Sequence, residues 1–112
     1  MCLFCKIARR EVPSDVVLET HDILAFKDVR PVAPVHALVI PKKHLTSLGD
    51  VGIEDTELLG RLLFCAHEVA DKLGLAASGY RVVLNTGRDG GQSVPHLHAH
   101  VMGGRAMAWP PG

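Results

Sequence analysis

In Pro95-His96-Leu97-His98-Ala99-His100-Val101-Met102, imidazole and apolar side chains alternate from Pro95 to Val101. Successive side chains of a β-strand point to opposite faces. A strand from His96 to Met102 would therefore set three imidazoles on one face and Leu97, Ala99 and Val101 on the other. Pro95 lacks an N–H and suits the start of a strand rather than its middle. The pattern requires a sheet with a core on one side and a row of histidines, roughly 7 Å apart along the strand, on the other.

Working outward, Gly87-Arg88-Asp89-Gly90-Gly91-Gln92-Ser93 reads as a loop, and Tyr80 to Leu84 before it is β-rich. From Glu54 to Leu73, Leu58, Leu62, Ala66, Val69 and Leu73 recur at spacings of three and four, the stripe of an amphipathic helix. Glu54, Asp55 and Glu57 would lie in its first turns, where the macrodipole favours them, and Gly74 suits a left-handed cap after its end. Val16 to Leu18, Asp22 to Lys27 and His36 to Ile40 read as strands, the last ended by Pro41. Between the last two, Asp28 to Pro34 carries two prolines and reads as a loop. Residues 4 to 10 can form a short helix, and the tail from 103 to 112 reads as irregular. Strands, one long helix, then strands give an α+β class with an antiparallel sheet, one long helix and a short N-terminal helix.

The 112 residues suffice for one domain, 1–112, and 47% of them are apolar, enough for a core. Twelve basic side chains balance twelve acidic ones, which argues against a broad footprint for nucleic acid or an anionic membrane. A small anionic ligand needs only a local cluster of donors. No apolar run is long enough to span a bilayer, and MCLFCKIARR lacks the apolar core of a signal peptide. Three cysteines cannot all pair. The expectation is a soluble, cytoplasmic protein, with neither nucleic acid nor membrane as partner and no redox or organic cofactor.

Five of the seven histidines fall within 36–44 and 96–100. The row at 96–100 is open to three readings: solvated surface histidines, a His-x-His zinc site, or phosphate chemistry. The glycine loop before it favours the third. Gly87, Gly90 and Gly91 permit close approach of backbone to ligand, and successive N–H groups with the Ser93 hydroxyl can form an anion nest. A neutral imidazole is an available nucleophile near pH 7. Separately, Cys2-x-x-Cys5 has metal-ligand spacing. Cys65 lies on the helix stripe and reads as core; His21, His67, Arg9 and Arg10 read as solvated.

Gly90-Gly91-Gln92-Ser93-Val94-Pro95-His96-Leu97-His98-Ala99-His100-Val101-Met102 resembles the histidine-triad (HIT) signature, His-φ-His-φ-His-φ-φ. Phe4 to Ile7, Ala25-Phe26-Lys27-Asp28, His36 to His44 and Arg81 to Asn85 match in order, and the tail ending Trp109-Pro110-Pro111-Gly112 is similar to that of the Hint branch. The third histidine stands where related uridylyltransferases have glutamine, which favours hydrolysis. The resemblance implies a HIT-like fold and a purine nucleotide-binding (AMP or GMP) phosphoramidase. Such an enzyme cleaves the P–N bond of nucleoside 5′-phosphoramidates, or aminoacyl adenylates, through a nucleotidyl-histidine. It implies His98 as nucleophile, His36 and His100 for proton relay and orientation, and Ser93 on a phosphate oxygen. Asp28 would meet the ribose with Val29 against the nucleoside, while Asn85, Gly91 and Gln92 would line the phosphate and ribose side. Leu3, Phe4, Ile7 and Phe26 would form the slot for the base.

Some HIT proteins hold structural Zn²⁺ with such a cysteine pair and two histidines, which here would be Cys2, Cys5, His44 and His96. His96 would then look away from the substrate. The resemblance also implies a homodimer, through the long helix and the 80–84 strand. The rival readings are a dinucleoside polyphosphate hydrolase, a non-catalytic nucleotide-sensing or scaffold protein, and a zinc hydrolase with water activated at the triad itself.

Overall fold

The apolar stripe read over 54–73 forms helix α2, Thr56–Lys72, in a computed structural model that describes residues 2–112. A helix α1 spans Leu3–Ala8, and five strands follow: β1 Val16–Glu19, β2 Ile23–Lys27, β3 Val35–Pro41, β4 Tyr80–Val83 and β5 Ala99–Gly103. They form one antiparallel sheet in the order β1-β2-β3-β5-β4.

The period-two pattern divides the sheet into two faces. Ile23, Ala25, Ala37, Val39, Ala99 and Val101 pack against Leu62, Cys65, Ala66, Val69 and Ala70 of α2. On the opposite face Leu24, Phe26, Leu38 and Ile40 pack against Phe4 and Ile7 of α1. Burying such side chains stabilises the fold by about 1.5–3 kcal/mol each. At six residues α1 is too short to persist alone and depends on this contact. His36 and His100 share the α1 face, because His36 pairs with Met102 and Leu38 with His100.

Three expectations from the sequence are corrected. The last strand begins at Ala99, so His96 and His98 precede it. Pro95 offers no N–H there, and the Leu97 N–H donates to the Leu45 carbonyl at 2.6 Å instead of continuing the ladder with β3. Leu97 still enters the α2 core. Helix α2 begins at Thr56, after a 3₁₀ turn at Ile53–Asp55. Asp55 is buried and its carboxylate accepts from the Gly52 N–H and from Lys43 at 3.0 Å each, which draws it out of the first α-helical turn. The N-terminal helix starts at Leu3 and stops at Ala8, with the Cys5 N–H donating to the Cys2 sulfur that caps it. Gly74 has φ +79°, the left-handed cap expected after α2.

Candidate functional site

The Nδ1–H of His98 donates to the His96 carbonyl at 2.7 Å. A carbonyl only accepts, so Nδ1 carries a proton, and in the neutral ring Nε2 holds the lone pair. His98 is buried, with the Phe4 ring edge-on 5.2 Å away and the His100 ring at 4.9 Å. A second chain of donors starts at the Val32 N–H, which donates to His36 Nδ1 at 3.1 Å. His36 Nε2–H then donates to His100 Nδ1 at 2.9 Å, with Asp28 Oδ2 3.4 Å from the same nitrogen. That leaves His100 with its proton on Nε2. Burial lowers the His36 pKa, opposed by Asp28. For His100, burial first and the imidazoles of His98 and His36 next push it down to about 4. Both rings are neutral at pH 7, so each nitrogen has one fixed role.

These imidazoles open on a cavity of about 1030 Å³. His36, His98, His100, Asp28, Val29, Asn85 and Ser93 line it, as do Leu3, Phe4, Ile7 and Phe26 on the α1 side. Asp28 is held in its turn by the Arg30 N–H, which donates to Oδ1 at 2.9 Å. Neither Gly91 nor Gln92 is among the lining residues. Their N–H groups donate to the Arg88 and Gly87 carbonyls. The Gln92 amide accepts from the Gly87 N–H and donates to the Thr46 and Val94 carbonyls. They brace the loop that carries Gly90 and Ser93 to the cavity. Gly90 is required there, since a Cβ would stand 2.4 Å from the Thr86 carbonyl oxygen.

His96 is fully buried, and its Nε2–H donates to the Pro41 carbonyl at 2.8 Å, which leaves Nδ1 free as a ligand atom. That Nδ1 lies 3.2 Å from Cys2 Sγ, 3.5 Å from Cys5 Sγ and 3.2 Å from His44 Nδ1. Cys5 Sγ is also 3.2 Å from His44 Nδ1. Zinc bonds of about 2.0–2.3 Å in a tetrahedron set ligand atoms about 3.3–3.8 Å apart. The four donors are thus spaced as the corners of such a site, and the Pro41 contact is the outer partner that fixes a ligating imidazole. Burial, and next the neighbouring Cys2, raise the Cys5 thiol pKa, and a bound cation would reverse that preference. Asp28, His36 and His100 also cluster closely enough for a metal. There, however, the Val32 N–H keeps the His36 proton on the nitrogen that faces the group, so that cluster is a hydrogen-bond relay.

The cavity has walls that the sequence did not point to. Arg81, Val83 and Met102 line it, and period-two pairing of β4 with His100 and Met102 would have found the first two. Pro13 and Ser14 before β1, and Arg105, Met107 and Pro111 of the tail, carry no periodic signal. The tail is tied back by Arg81, which donates to the Ala108 carbonyl at 2.7 Å, and by Arg105, which donates to the Val32 carbonyl at 3.1 Å. Trp109 remains exposed.

A five-stranded antiparallel sheet with imidazoles of fixed tautomer on one face and a long helix on the other defines a small α+β protein with a histidine-based site. The HIT domain family model matches residues 9–107, and the chain belongs to that family. It is 53% identical to an uncharacterised HIT-like protein of Synechococcus elongatus, over 98% of this chain and 96% of that one. A HIT family hydrolase from Legionella pneumophila superposes with a TM-score of 0.97, at 53% identity and with both chains fully covered. A histidine triad nucleotide-binding protein from Candida albicans matches with a TM-score of 0.84 at 32% identity, over 98% of this chain and 83% of that one.

Proposed function

We propose that this chain is a nucleotide-binding hydrolase that cleaves the P–N bond of purine nucleoside 5′-phosphoramidates, with His98 as nucleophile. The observation that carries this reading is the 2.7 Å bond from His98 Nδ1–H to the His96 carbonyl, which leaves a lone pair on Nε2 of a ring that lines the cavity. Nε2 attacks the α-phosphorus, the P–N bond breaks, and the amine departs with the proton from His100 Nε2, which the hydrolytic water replaces in the second step. Water then attacks the nucleotidyl-histidine, and the nucleoside monophosphate leaves. His100, whose Nε2 holds a proton, donates a hydrogen bond to a phosphate oxygen or to the departing nitrogen. His36 keeps His100 in that tautomer. Ser93 donates to a phosphate oxygen, on a loop braced by Gly91 and Gln92.

Asp28 accepts from the ribose hydroxyls beside Val29 and Asn85, and the base, adenine or guanine, packs in the cavity against Leu3, Phe4, Ile7 and Phe26. The names of the Legionella and Candida relatives, a hydrolase and a nucleotide-binding protein, support the class of ligand and reaction. Cys2, Cys5, His44 and His96 would hold a structural zinc ion, which stabilises the fold and leaves no open position for water. We further propose a homodimer through α2 and β4, in a reducing compartment such as the cytoplasm.

The test is incubation with adenosine 5′-phosphoramidate followed by acid-free peptide mass spectrometry. An adenylyl group on the 96–100 peptide at His98 is expected. Turnover without any adduct, in a His98→Ala protein as fast as in the parent, would sink the mechanism.

A further inference from the structure

Helix α1 belongs to two sites at once. Cys2, which caps it, and Cys5, its third residue, bring both sulfurs to the metal-ligand cluster. Leu3, Phe4 and Ile7 of the same helix line the cavity. The Phe4 ring stands between the sites, 5.9 Å from His96 and 5.2 Å from His98, edge-on to both.

The other half of the cluster belongs to the body of the protein. His96 is pinned to the Pro41 carbonyl of β3, and Leu97, next to it, is pinned to Leu45, next to His44. A metal ion bonded to all four donors would bolt α1 to that frame. Without it, α1 is held on the sheet by apolar contacts, those of Phe4 and Ile7 with Cys2 and Ala8 beside them, and by the ion pair of Arg10 with Glu19 just past its end. Six residues give too few internal bonds to keep the helix in shape on their own.

Resting on the nucleotide reading above, we propose that a metal ion at Cys2, Cys5, His44 and His96 sets the affinity of the cavity for the base, by clamping α1 as the wall against which the base packs. The phosphate side is built from the 90–93 loop, His98 and β5; α1 reaches it only through the edge of the Phe4 ring on His98, so it should feel the metal less than the base wall does. Coupling of this kind is reciprocal: the nucleotide must tighten metal binding by the factor by which the metal tightens nucleotide binding.

The full chain loaded with zinc, and the same chain after chelation, are titrated calorimetrically with AMP and with ribose 5-phosphate. Metal withdrawal should weaken AMP about tenfold, or about 1.4 kcal/mol, and ribose 5-phosphate by no more than about twofold. In the second arm, zinc is withdrawn from the loaded protein by a chromophoric chelator with and without saturating AMP. AMP should tighten zinc by the same factor and then plateau as AMP saturates; tightening that keeps rising with AMP concentration would mean only that the metal-free chain unfolds, and would overturn the proposal. Amide exchange of residues 3–8 should speed up on zinc removal and slow on AMP addition. Equal losses for the two ligands, or zinc affinity indifferent to AMP, would overturn the proposal. Failure of AMP to bind the loaded protein would overturn the nucleotide reading and the proposal with it, whereas metal-independent AMP binding would overturn the proposal alone.

Discussion

The imidazole of His98 is bonded to the backbone of His96, its neighbour but one, through Nδ1–H and a carbonyl oxygen 2.7 Å away. One local contact therefore decides which nitrogen of the buried ring can act as a base or nucleophile. Replacing the ring by an amide removes that nitrogen while keeping comparable bulk. His98→Gln is expected to lower turnover of adenosine 5′-phosphoramidate on the order of 10⁴-fold or more, as loss of a nucleophile does elsewhere. AMP affinity and the circular dichroism spectrum should stay near the parent's. Steady-state kinetics and calorimetry on the variant check this.

His100 makes a prediction about stability and pH. Its pKa is pushed from 6.5 down to about 4, by burial first. Above pH 6.5 the ring is neutral in the folded and unfolded chains alike, and contributes no slope. Between 6.5 and about 4 the unfolded chain takes up a proton that the folded chain refuses. Stability therefore falls as the pH drops through that window and levels off below it. His36, lowered by burial too, acts in the same direction. Urea unfolding at a series of pH values should show the decline, and His100→Gln should reduce its slope by about one proton.

Gly90 and Gly91 are neighbours with different requirements. A Cβ on Gly90 would stand 2.4 Å from the Thr86 oxygen and 2.8 Å from the Thr86 nitrogen, both backbone atoms. On Gly91 it would meet nothing, although φ is +76°. Gly90→Ala should destabilise by about 2–3 kcal/mol, as overpacking does, and move Ser93 enough to raise KM. Gly91→Ala should cost about 1–2 kcal/mol, the left-handed penalty alone. Melting curves and a split of KM from kcat distinguish the two.

The Cys/His cluster predicts metal content. Elemental analysis of protein purified without chelator should find one zinc per chain, and none in Cys5→Ser or His44→Ala. Loss of the metal should lower stability by at least about 2 kcal/mol, roughly 10 °C in Tm for a domain of this size. A chain that carries no metal, with a Tm indifferent to chelator, would contradict the zinc assignment.

Leu63 and Phe64 of α2 are 53% and 62% exposed, and β4 is an edge strand with one side unpaired. Exposed apolar side chains on α2 and an open strand edge at β4 each suit a second copy of the chain. Light scattering should give twice the 12.1 kDa chain mass, and Phe64→Glu should shift it to the single mass.

Much of the fold was legible because its signals are local. The 3–4 spacing of Leu62, Ala66 and Val69 marks α2 wherever it sits. Alternation in Leu97, Ala99 and Val101 marks the face that meets it. The strand boundary at His96 was misplaced because the residue that competes for the ladder, Leu45, lies far along the chain. The tail walls of the cavity were invisible for a similar reason. Arg81 and Arg105 hold them through backbone carbonyls, which every residue possesses and no motif records.

By itself, then, the sequence determined periodicity: which side chains share a face, where a helix must run, and that five histidines and two cysteines are grouped in pairs and rows. Tertiary structure decided what each imidazole can do. His96 offers Nδ1 because Pro41 takes its Nε2–H, and His100 keeps its proton on Nε2 because Val32 sets the tautomer of His36. An imidazole has two nitrogens and one proton at neutral pH. Where that proton sits depends on which backbone group the fold turns toward the ring, near in sequence for His98 and His36 and distant for His96, and residue spacing alone does not specify it.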